Sequence, residues 1–129
     1  MQTSDYKRLK AWQKAMDLTE EVYRLVRLLP REETYALSDQ LRRAVVSMPS
    51  NIAEGHGRGS DKEFVKFLTI ARGSLFEVET QLLICNRLYL FTKETTQLAF
   101  SMIAEIGKML NALISFRLDR VGNNLTPKA

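Results

Sequence analysis

Hydrophobic residues recur every three or four positions along most of this chain, with polar residues between them. Because an α-helix has about 3.6 residues per turn, this spacing predicts helices, and no segment shows the alternation of a strand. The first predicted helix runs from about Tyr6 to Leu28, ahead of Pro30, which cannot continue it. Its apolar stripe is Ala11, Ala15, Leu18, Val22, Leu25, Val26 and Leu29, flanked by Trp12, Met16 and Tyr23.

Two more helices follow on either side of a glycine-rich segment. The second predicted helix starts near Tyr35 and ends in the glycines of residues 55–59. The third begins after Ser60, because a serine followed three residues later by Glu63 forms a capping box. It runs to about Leu90.

The fourth predicted helix opens after Thr92, a good N-cap residue, and runs to about Leu118. Residues 119–129 contain two asparagines and a proline, and we expect them to form a flexible tail beyond a domain of residues 1–118. Short connections between long helices favour neighbours that run in opposite directions. The pattern therefore predicts an all-α, antiparallel, up-down-up-down four-helix bundle.

The third and fourth helices carry more apolar residues than one buried stripe requires. The core stripe of the third is predicted to be Phe64, Phe67, Leu68, Ala71, Leu75, Val78, Leu82, Cys85 and Tyr89, which leaves Val65, Phe76, Leu83, Ile70, Ile84 and Leu88 on other faces. The predicted core face of the fourth is Leu98, Met102, Ile106, Met109 and Leu113, which leaves Phe100, Ile103, Ile114 and Leu118 outside. Contiguous exposed apolar surface usually marks an interface, so the excess predicts a homo-oligomer. The alternative is a scatter of surface residues, as monomers also have.

The segment "QLRRAVVSMPSNIAEGHGRGS" (residues 40–60) has a proline inside a helical pattern. Apolar residues keep one phase on both sides of Pro49, which predicts a kinked but continuous helix. The alternative is a break at Met48, with Pro49 opening a new helix. Ser47 and Ser50 are placed to offer hydroxyls to nearby carbonyls. The glycines at 55 and 57 are predicted to end the helix in left-handed conformations.

A polar strip runs along the same helix at steps of three and four residues. It consists of Arg43, Ser47, Asn51, Glu54 and Arg58, and beside it lies a small-residue set of Arg42, Val46, Pro49 and Ala53. The strip is either a solvated face or a contact surface for another helix, a subunit or a phosphate backbone. We favour the contact surface.

Composition limits the class of protein. The chain has 129 residues, 45% of them hydrophobic and 26% charged, with a net charge of +4, a composition typical of one soluble domain. A mild basic excess permits an anionic partner without requiring one. No secretory signal or unbroken apolar run of membrane-spanning length is apparent, and one unpaired cysteine, Cys85, fits a reducing compartment. We therefore expect a cytoplasmic protein without membrane contact.

The sequence contains no strong motif for catalysis or metal binding. The sequence "GHGRGS" lacks the ending of a phosphate-binding P-loop and follows a helix instead of a strand, although Arg58 and the amides that open the third helix could hold an anion. His56 is the only histidine, so neither a zinc site nor a di-iron site can be assembled in one chain. Cys85 occupies a core position, and Glu77 and Glu79 do not share a helix face. We expect no enzyme activity, no metal and no cofactor.

Three blocks carry a family resemblance: "LKAWQKAMDLTEEVYRL", "LSDQLRRAVVSMPSNIAEGHGRGS" and "FLTIARGSLFEVETQLL". Over residues 5–118 the chain resembles the bacterial four-helix bundle proteins encoded in intervening sequences of 23S rRNA genes, called the S23 ribosomal protein family. The resemblance implies a ring-like homopentamer. It also implies a relation to the basic accessory protein of diversity-generating retroelements, which associates with a reverse transcriptase and nucleic acid. It supplies no settled activity and no catalytic residues.

Three functional hypotheses follow. The first is a non-enzymatic oligomer that binds RNA or another nucleic acid through basic residues; the candidates are Lys10, Lys14, Arg24, Arg27, Arg31, Arg42, Arg43 and Arg58. The alternative is a protein-interaction scaffold that docks a polymerase or reverse-transcriptase-like partner and touches nucleic acid little. The third is a small-molecule or metal-binding bundle. Predicted interface or structural residues are Arg43, Ser47, Pro49, Asn51, Glu54, Gly55, Arg58, Phe76 and Leu83.

Overall fold

The computed structural model describes residues 5–125, apart from the side chains of Tyr35 and residues 123–125. All regular structure in that range is helical, which confirms the predicted all-α class. The four main helices are α1 (Lys10–Val26), α2 (Asp39–Gly57), α3 (Asp61–Arg87) and α4 (Lys93–Leu125). Short 3-10 turns at Asp5–Arg8 and Arg31–Glu33 and a π-helical turn at Thr34–Ser38 precede or connect them.

The first helix matches its predicted stripe. All seven of its stripe residues are buried, and Trp12 and Tyr23 pack against the core from one flank. The helix begins at Lys10 instead of about Tyr6, because Leu9 has an extended backbone that separates α1 from the preceding 3-10 turn. Of the flanking residues, Met16 is the one left exposed.

The second helix is continuous through its proline. Because α2 spans Asp39–Gly57 with Pro49 inside it, the alternative of a break at Met48 was wrong. Proline has no N–H for the carbonyl four residues earlier, that of Val45. The hydroxyl of Thr19 on α1 lies 3.4 Å from that carbonyl, but it donates its one proton at 2.7 Å to the Ala15 carbonyl of its own helix. The Ser50 hydroxyl donates to the Val46 carbonyl at 2.8 Å, as the sequence predicted.

The glycines after Pro49 have other roles than those predicted. Gly55 and Gly57 lie within α2, and the left-handed glycine is Gly59, with φ of 83°. Gly55 is buried, and a β-carbon there would overlap the β-carbon of Phe67 on α3. Gly55 therefore permits close approach of two helices, while Gly59 makes the turn between them.

The third helix starts as predicted and ends earlier. The Ser60 hydroxyl accepts from the Glu63 amide at 3.2 Å, which confirms the N-cap. The helix ends at Arg87, and Tyr89 adopts φ of 59°. Tyr89 was predicted in the core stripe but is 93% exposed, because the chain has already left the helix there.

The core face of α4 differs from the prediction. The buried residues are Thr96, Ala99, Ile103, Ile106, Leu110 and Ile114, whereas Leu98, predicted to be internal, is 53% exposed. Met102, Met109 and Leu113 are partly buried at the edge of the core. Two apolar stripes overlap on this helix, so periodicity alone did not select the one that faces inward.

Helix α4 also continues to Leu125 instead of ending near Leu118. Arg117 and Arg120, in its last third, both pair with Asp61 at the start of α3, and these ion pairs hold this part of α4 against the bundle. Residues 119–125 of the predicted tail are therefore helical. The rest of that tail, residues 126–129, lies outside the described residues.

By length and composition, α4 is the one helix in residues 5–125 that could cross a membrane, because an 18-residue window within Lys93–Gly122 has a mean hydropathy of 1.3. The core helix of a soluble bundle passes the same test, and α4 buries one face in the bundle core. The absence of membrane contact stays a prediction.

Contacts between the helices follow a consistent order. On α2 and α3, Gln40 meets Gln81, and Ser47, further along α2, meets Ser74, which is earlier in α3. The same order links α3 to α4 through Arg72–Asn111 and Asn86–Thr96. Lys14 of α1 pairs with Glu105 of α4 at 3.2 Å, so each helix contacts its neighbours around one core.

Candidate functional site

At each end of the polar strip, an arginine forms an ion pair with a carboxylate four residues earlier in the chain. Arg43 pairs with Asp39 at 3.4 Å, and Arg58 pairs with Glu54 at 2.8 Å. Arg43 is 80% exposed, whereas Arg58 also lies over the ring of Phe67, 5.1 Å from its centre. These pairs are worth little to stability because solvent screens them, and both guanidinium groups stay accessible to a partner.

The middle of the strip contacts α3. The Asn51 side-chain amide donates to the Ser47 carbonyl at 2.7 Å and to the Ser47 hydroxyl at 3.0 Å. The hydroxyl of Ser74, a buried residue of α3, donates to the same Ser47 oxygen at 2.9 Å. This part of the strip is therefore an intrachain contact between two helices.

Beyond Ser47 the seam between α2 and α3 widens into two shallow polar cavities of about 270 and 340 Å³ that share Gln40, Glu77 and Gln81. The Gln81 amide donates to Gln40 at 3.3 Å, but its own carbonyl oxygen is buried without a hydrogen-bond partner. Because both cavities are shallow and Gln81 lines them, solvent or another side chain can donate to this oxygen.

Exposed apolar side chains surround that region of α3. Phe76 and Leu83, predicted as interface residues, are 53% and 49% exposed. Ile70, Ile84 and Leu88 on the same helix are also exposed, and Phe76 and Ile84 line one of the polar cavities. The outer side of α3 is therefore largely apolar, and it borders the seam in which the Gln81 oxygen lies.

The eight basic candidates fall into two groups, those that form an ion pair with a carboxylate and those that do not. Lys14, Arg24, Arg43 and Arg58 form ion pairs, and the Glu21 carboxylate raises the pKa of Arg24 by hydrogen bonding and by its charge. Within the described part of the chain, Lys10, Arg27, Arg31 and Arg42 form no ion pair. Arg27 also lines a groove between α1 and α2 with Tyr23 and Val46.

Most candidates gather at one end of the bundle. Arg24 lies in the last turn of α1, Arg27 directly follows that helix, and Arg31 lies in the connection to α2. Arg42 and Arg43 belong to the first turns of α2. Lys10, Lys14 and Arg58 lie nearer the opposite end, so the structure does not bring all eight together.

A second charged cluster lies at that opposite end. The Asp61 carboxylate, 10% exposed, accepts a hydrogen bond from Arg117 at 2.8 Å and forms an ion pair with Arg120 at 3.1 Å. Arg117 also stacks over the Phe64 ring, 4.9 Å from its centre, and the His56 ring meets Phe64 edge-on at 5.4 Å. The sequence prediction missed both arginines because they fell at or beyond the expected end of α4.

Two kinds of reactive site were considered within the described residues: a cysteine nucleophile and a metal-binding cluster. Cys85 is fully buried, and burial, with a smaller contribution from the Glu33 charge, raises its thiol pKa to about 11. A protonated, inaccessible thiol is a poor nucleophile. Across residues 5–125, no group of three or more histidine, cysteine, aspartate or glutamate side chains is placed to hold a metal ion.

Sequence comparison agrees with the helical architecture. A profile of the family described as 23S rRNA-intervening sequence protein matches residues 7–112. The chain belongs to this family. The matched range contains all eight basic candidates and the whole polar strip of α2, whereas Arg117 and Arg120 lie outside it.

Structural comparison supports the same family. The chain is similar to the crystal structure of a protein with unknown function from the S23 ribosomal protein family of Bacteroides thetaiotaomicron VPI-5482, with a TM-score of 0.75 and 26% sequence identity. The alignment covers 81% of this chain and 97% of that one. No curated protein matches the chain. The family assignment explains the fold and leaves the activity to be argued from the surface.

Proposed function

We propose that this family member is a non-enzymatic, cytoplasmic, ring-like homo-oligomer, a homopentamer by family resemblance, that binds RNA through its basic residues. Each protomer would be an antiparallel up-down-up-down bundle, which the order of the helix contacts supports. The observation that carries the assembly is the exposed outer side of α3. Its exposed apolar residues form the kind of surface that usually marks an interface.

Oligomerisation would also strengthen nucleic-acid binding. One chain carries a net charge of +4, which is modest, but a pentamer would repeat the arginine-rich end of the bundle five times. Arg27, Arg31 and Arg42 are the best candidates for phosphate contacts, since no carboxylate within the described residues competes for them. Such contacts are tolerant of sequence and sensitive to salt.

Light scattering combined with size-exclusion chromatography tests the assembly. We expect a mass several times the 14.8 kDa of one chain. Leu83→Asp should lower that mass, since the charge would be buried in the proposed interface, whereas Tyr89→Asp, in the exposed α3–α4 connection, should leave it unchanged. A wild-type protein that elutes as a 14.8 kDa monomer would refute the assembly.

RNA binding is tested by titrating a structured RNA at increasing salt concentration. The logarithm of the affinity should fall linearly with the logarithm of salt. Arg42→Gln should weaken RNA binding more than Arg24→Gln, because the positive charge of Arg24 is already paired with the Glu21 carboxylate. No binding at low salt, or an affinity indifferent to salt, contradicts the RNA proposal.

A scaffold for a polymerase-like or reverse-transcriptase-like protein is the second candidate. It is favoured by the ion pairing of half the basic candidates, which reduces the free positive charge. The groove lined by Tyr23, Arg27 and Val46 would offer such a partner a mixed apolar and basic surface. An oligomer that forms normally but fails the RNA titration would support this alternative.

A further inference from the structure

The end of the bundle near the α2–α3 turn contains a cavity of about 460 Å³ that the proposed RNA surface does not use. Its walls come from the last turn of α2, the first turn of α3 and the last third of α4. The lining residues are His56, Gly59, Ser60, Asp61, Phe64, Arg117 and Arg120. The volume is typical of a small-molecule site.

The charged groups in this cavity do not balance. Asp61 supplies one carboxylate, and Arg117 and Arg120 supply two guanidinium groups, each within 3.1 Å of it. The amino-terminal end of α3 opens beside them and adds partial positive charge from the amides of its first turn, of which the Glu63 amide is capped by Ser60. Among the described residues that line the cavity, positive charges therefore exceed negative charges by one.

The same carboxylate fixes the direction of both arginines. Arg117 uses Nη1 and Arg120 uses Nε toward Asp61, and no other carboxylate among the described residues pairs with Arg120. Phe64 supports the Arg117 plane from below. Guanidinium groups held in this way are pre-organised for an oxyanion, because little side-chain freedom remains to be lost on binding.

We propose that this end cavity binds a phosphate monoester. A phosphate monoester carries close to two negative charges at neutral pH and three acceptor oxygens, which suits the uncompensated guanidinium and the donors beside it. Arg120 is the main contact and Arg117 the second. The cavity is larger than one phosphate group, so it also has room for the first part of the esterified molecule.

Inorganic phosphate is the first probe. In an NMR titration at constant ionic strength, with chloride as the balancing anion, we expect saturable shifts of the Gly59 and Ser60 amides and of the Arg120 Nε–H. Arg120→Gln should weaken the affinity about tenfold or more, because it removes a charge-assisted contact. Since Arg120 is half exposed, this variant should keep the fold, which circular dichroism checks.

Arg43→Gln is the matched control. Arg43 is also an exposed, ion-paired arginine, but it lies at the other end of α2, so its removal should leave phosphate affinity unchanged. If phosphate causes no saturable shift in the wild type, or if Arg120→Gln binds as tightly as the wild type, the two arginines serve only as an ion-pair clamp and the proposal is wrong.

Two sources of the phosphate are distinguished by further probes. An oligonucleotide with a 5′-phosphate is compared with the same strand ending in a 5′-hydroxyl, and with a free nucleoside 5′-monophosphate. Binding that requires the terminal phosphate of the strand assigns the cavity to nucleic-acid ends. Binding of the free nucleotide alone assigns it to a metabolite. These probes do not depend on the oligomeric state, so the cavity and the proposed function can fail separately.

Discussion

Near the turn that joins them, α2 and α3 touch through Gly55 and Phe67, whereas further from that turn they touch through Ser47 and Ser74. The first contact is close and apolar, and the Asp61 ion pairs lie beside it. The second is made by neutral hydrogen bonds and opens into cavities where the Gln81 oxygen lacks a partner. Close apolar packing and ion pairs characterise one end of the seam, and hydrogen bonds beside open cavities characterise the other.

The largest expected effect comes from Gly55→Ala. The new methyl group would overlap the Phe67 β-carbon, which cannot move without its helix, so we expect a loss of about 2 kcal/mol in unfolding free energy. Gly57→Ala is the control, because nothing lies within 4 Å of a β-carbon there. It should be neutral or stabilising, by up to about 1 kcal/mol. Urea denaturation measures both, and equal effects would mean that the two helices do not pack closely at Gly55.

Asp61→Asn should be next in size. It removes the carboxylate that ties α4 to α3, and we expect a loss of about 1–2 kcal/mol, reduced from the value for a fully buried pair because both arginines are partly exposed. Asp39→Asn breaks only an exposed pair within α2 and should cost less than about 0.5 kcal/mol. If the two variants were equally stable, the ion pairs at Asp61 would not contribute to the fold.

Ser74→Ala probes the opposite part of the seam. Its hydroxyl is buried and donates to Ser47, so its removal should cost about 1 kcal/mol. Because Asn51 still donates to the Ser47 oxygen, that oxygen is not left without a partner. Thermal unfolding compares this variant with Ser50→Ala, whose exposed hydroxyl only bonds within α2 and should matter less. A loss as large as that of Gly55→Ala would contradict the contrast between the two contacts.

The smallest effect is expected for Gln81→Met. The substitution keeps the side-chain length and removes the oxygen that lacks a partner, so protomer stability should change by less than about 0.5 kcal/mol, or rise. Any effect should appear in assembly instead, as a shift of the oligomer–monomer balance on dilution. A large loss of protomer stability would show that the Gln40–Gln81 bond matters more than the unpaired oxygen.

How far the sequence determined the structure depended on the helix. On α1 one apolar stripe stands against polar faces, so its buried residues could be identified individually. On α4 the apolar residues cover most of the surface, and the choice between Met102 and Ile103 as the inward residue depends on packing against the other helices. Periodicity contains no information about that packing, so the predicted face was right for Ile106, placed Met102, Met109 and Leu113 at the edge of the core, and was wrong for Leu98.

For the candidate site, the sequence predicted the contacts between residues close in the chain and missed those between distant residues. The polar strip of α2 was identified by its spacing, and its internal ion pair Glu54–Arg58 is local. The Ser47–Ser74 bond joins residues distant in sequence, as do the Asp61 pairs. Helix propensity also gave no reason to extend α4 past Leu118, because long-range pairing holds that part of the helix in place.

The proline of α2 has a consequence for how the protein opens. Val45 is fully buried in the core that α1 and α2 share, and its carbonyl, to which Pro49 cannot donate, lies 3.4 Å from the Thr19 hydroxyl of α1. The two helices should therefore share one cooperative unit in native-state hydrogen exchange, with the amides of α1 and of central α2 exchanging through the same opening. A proline that would weaken an isolated helix is thus tolerated in a helix that packing against its neighbours stabilises.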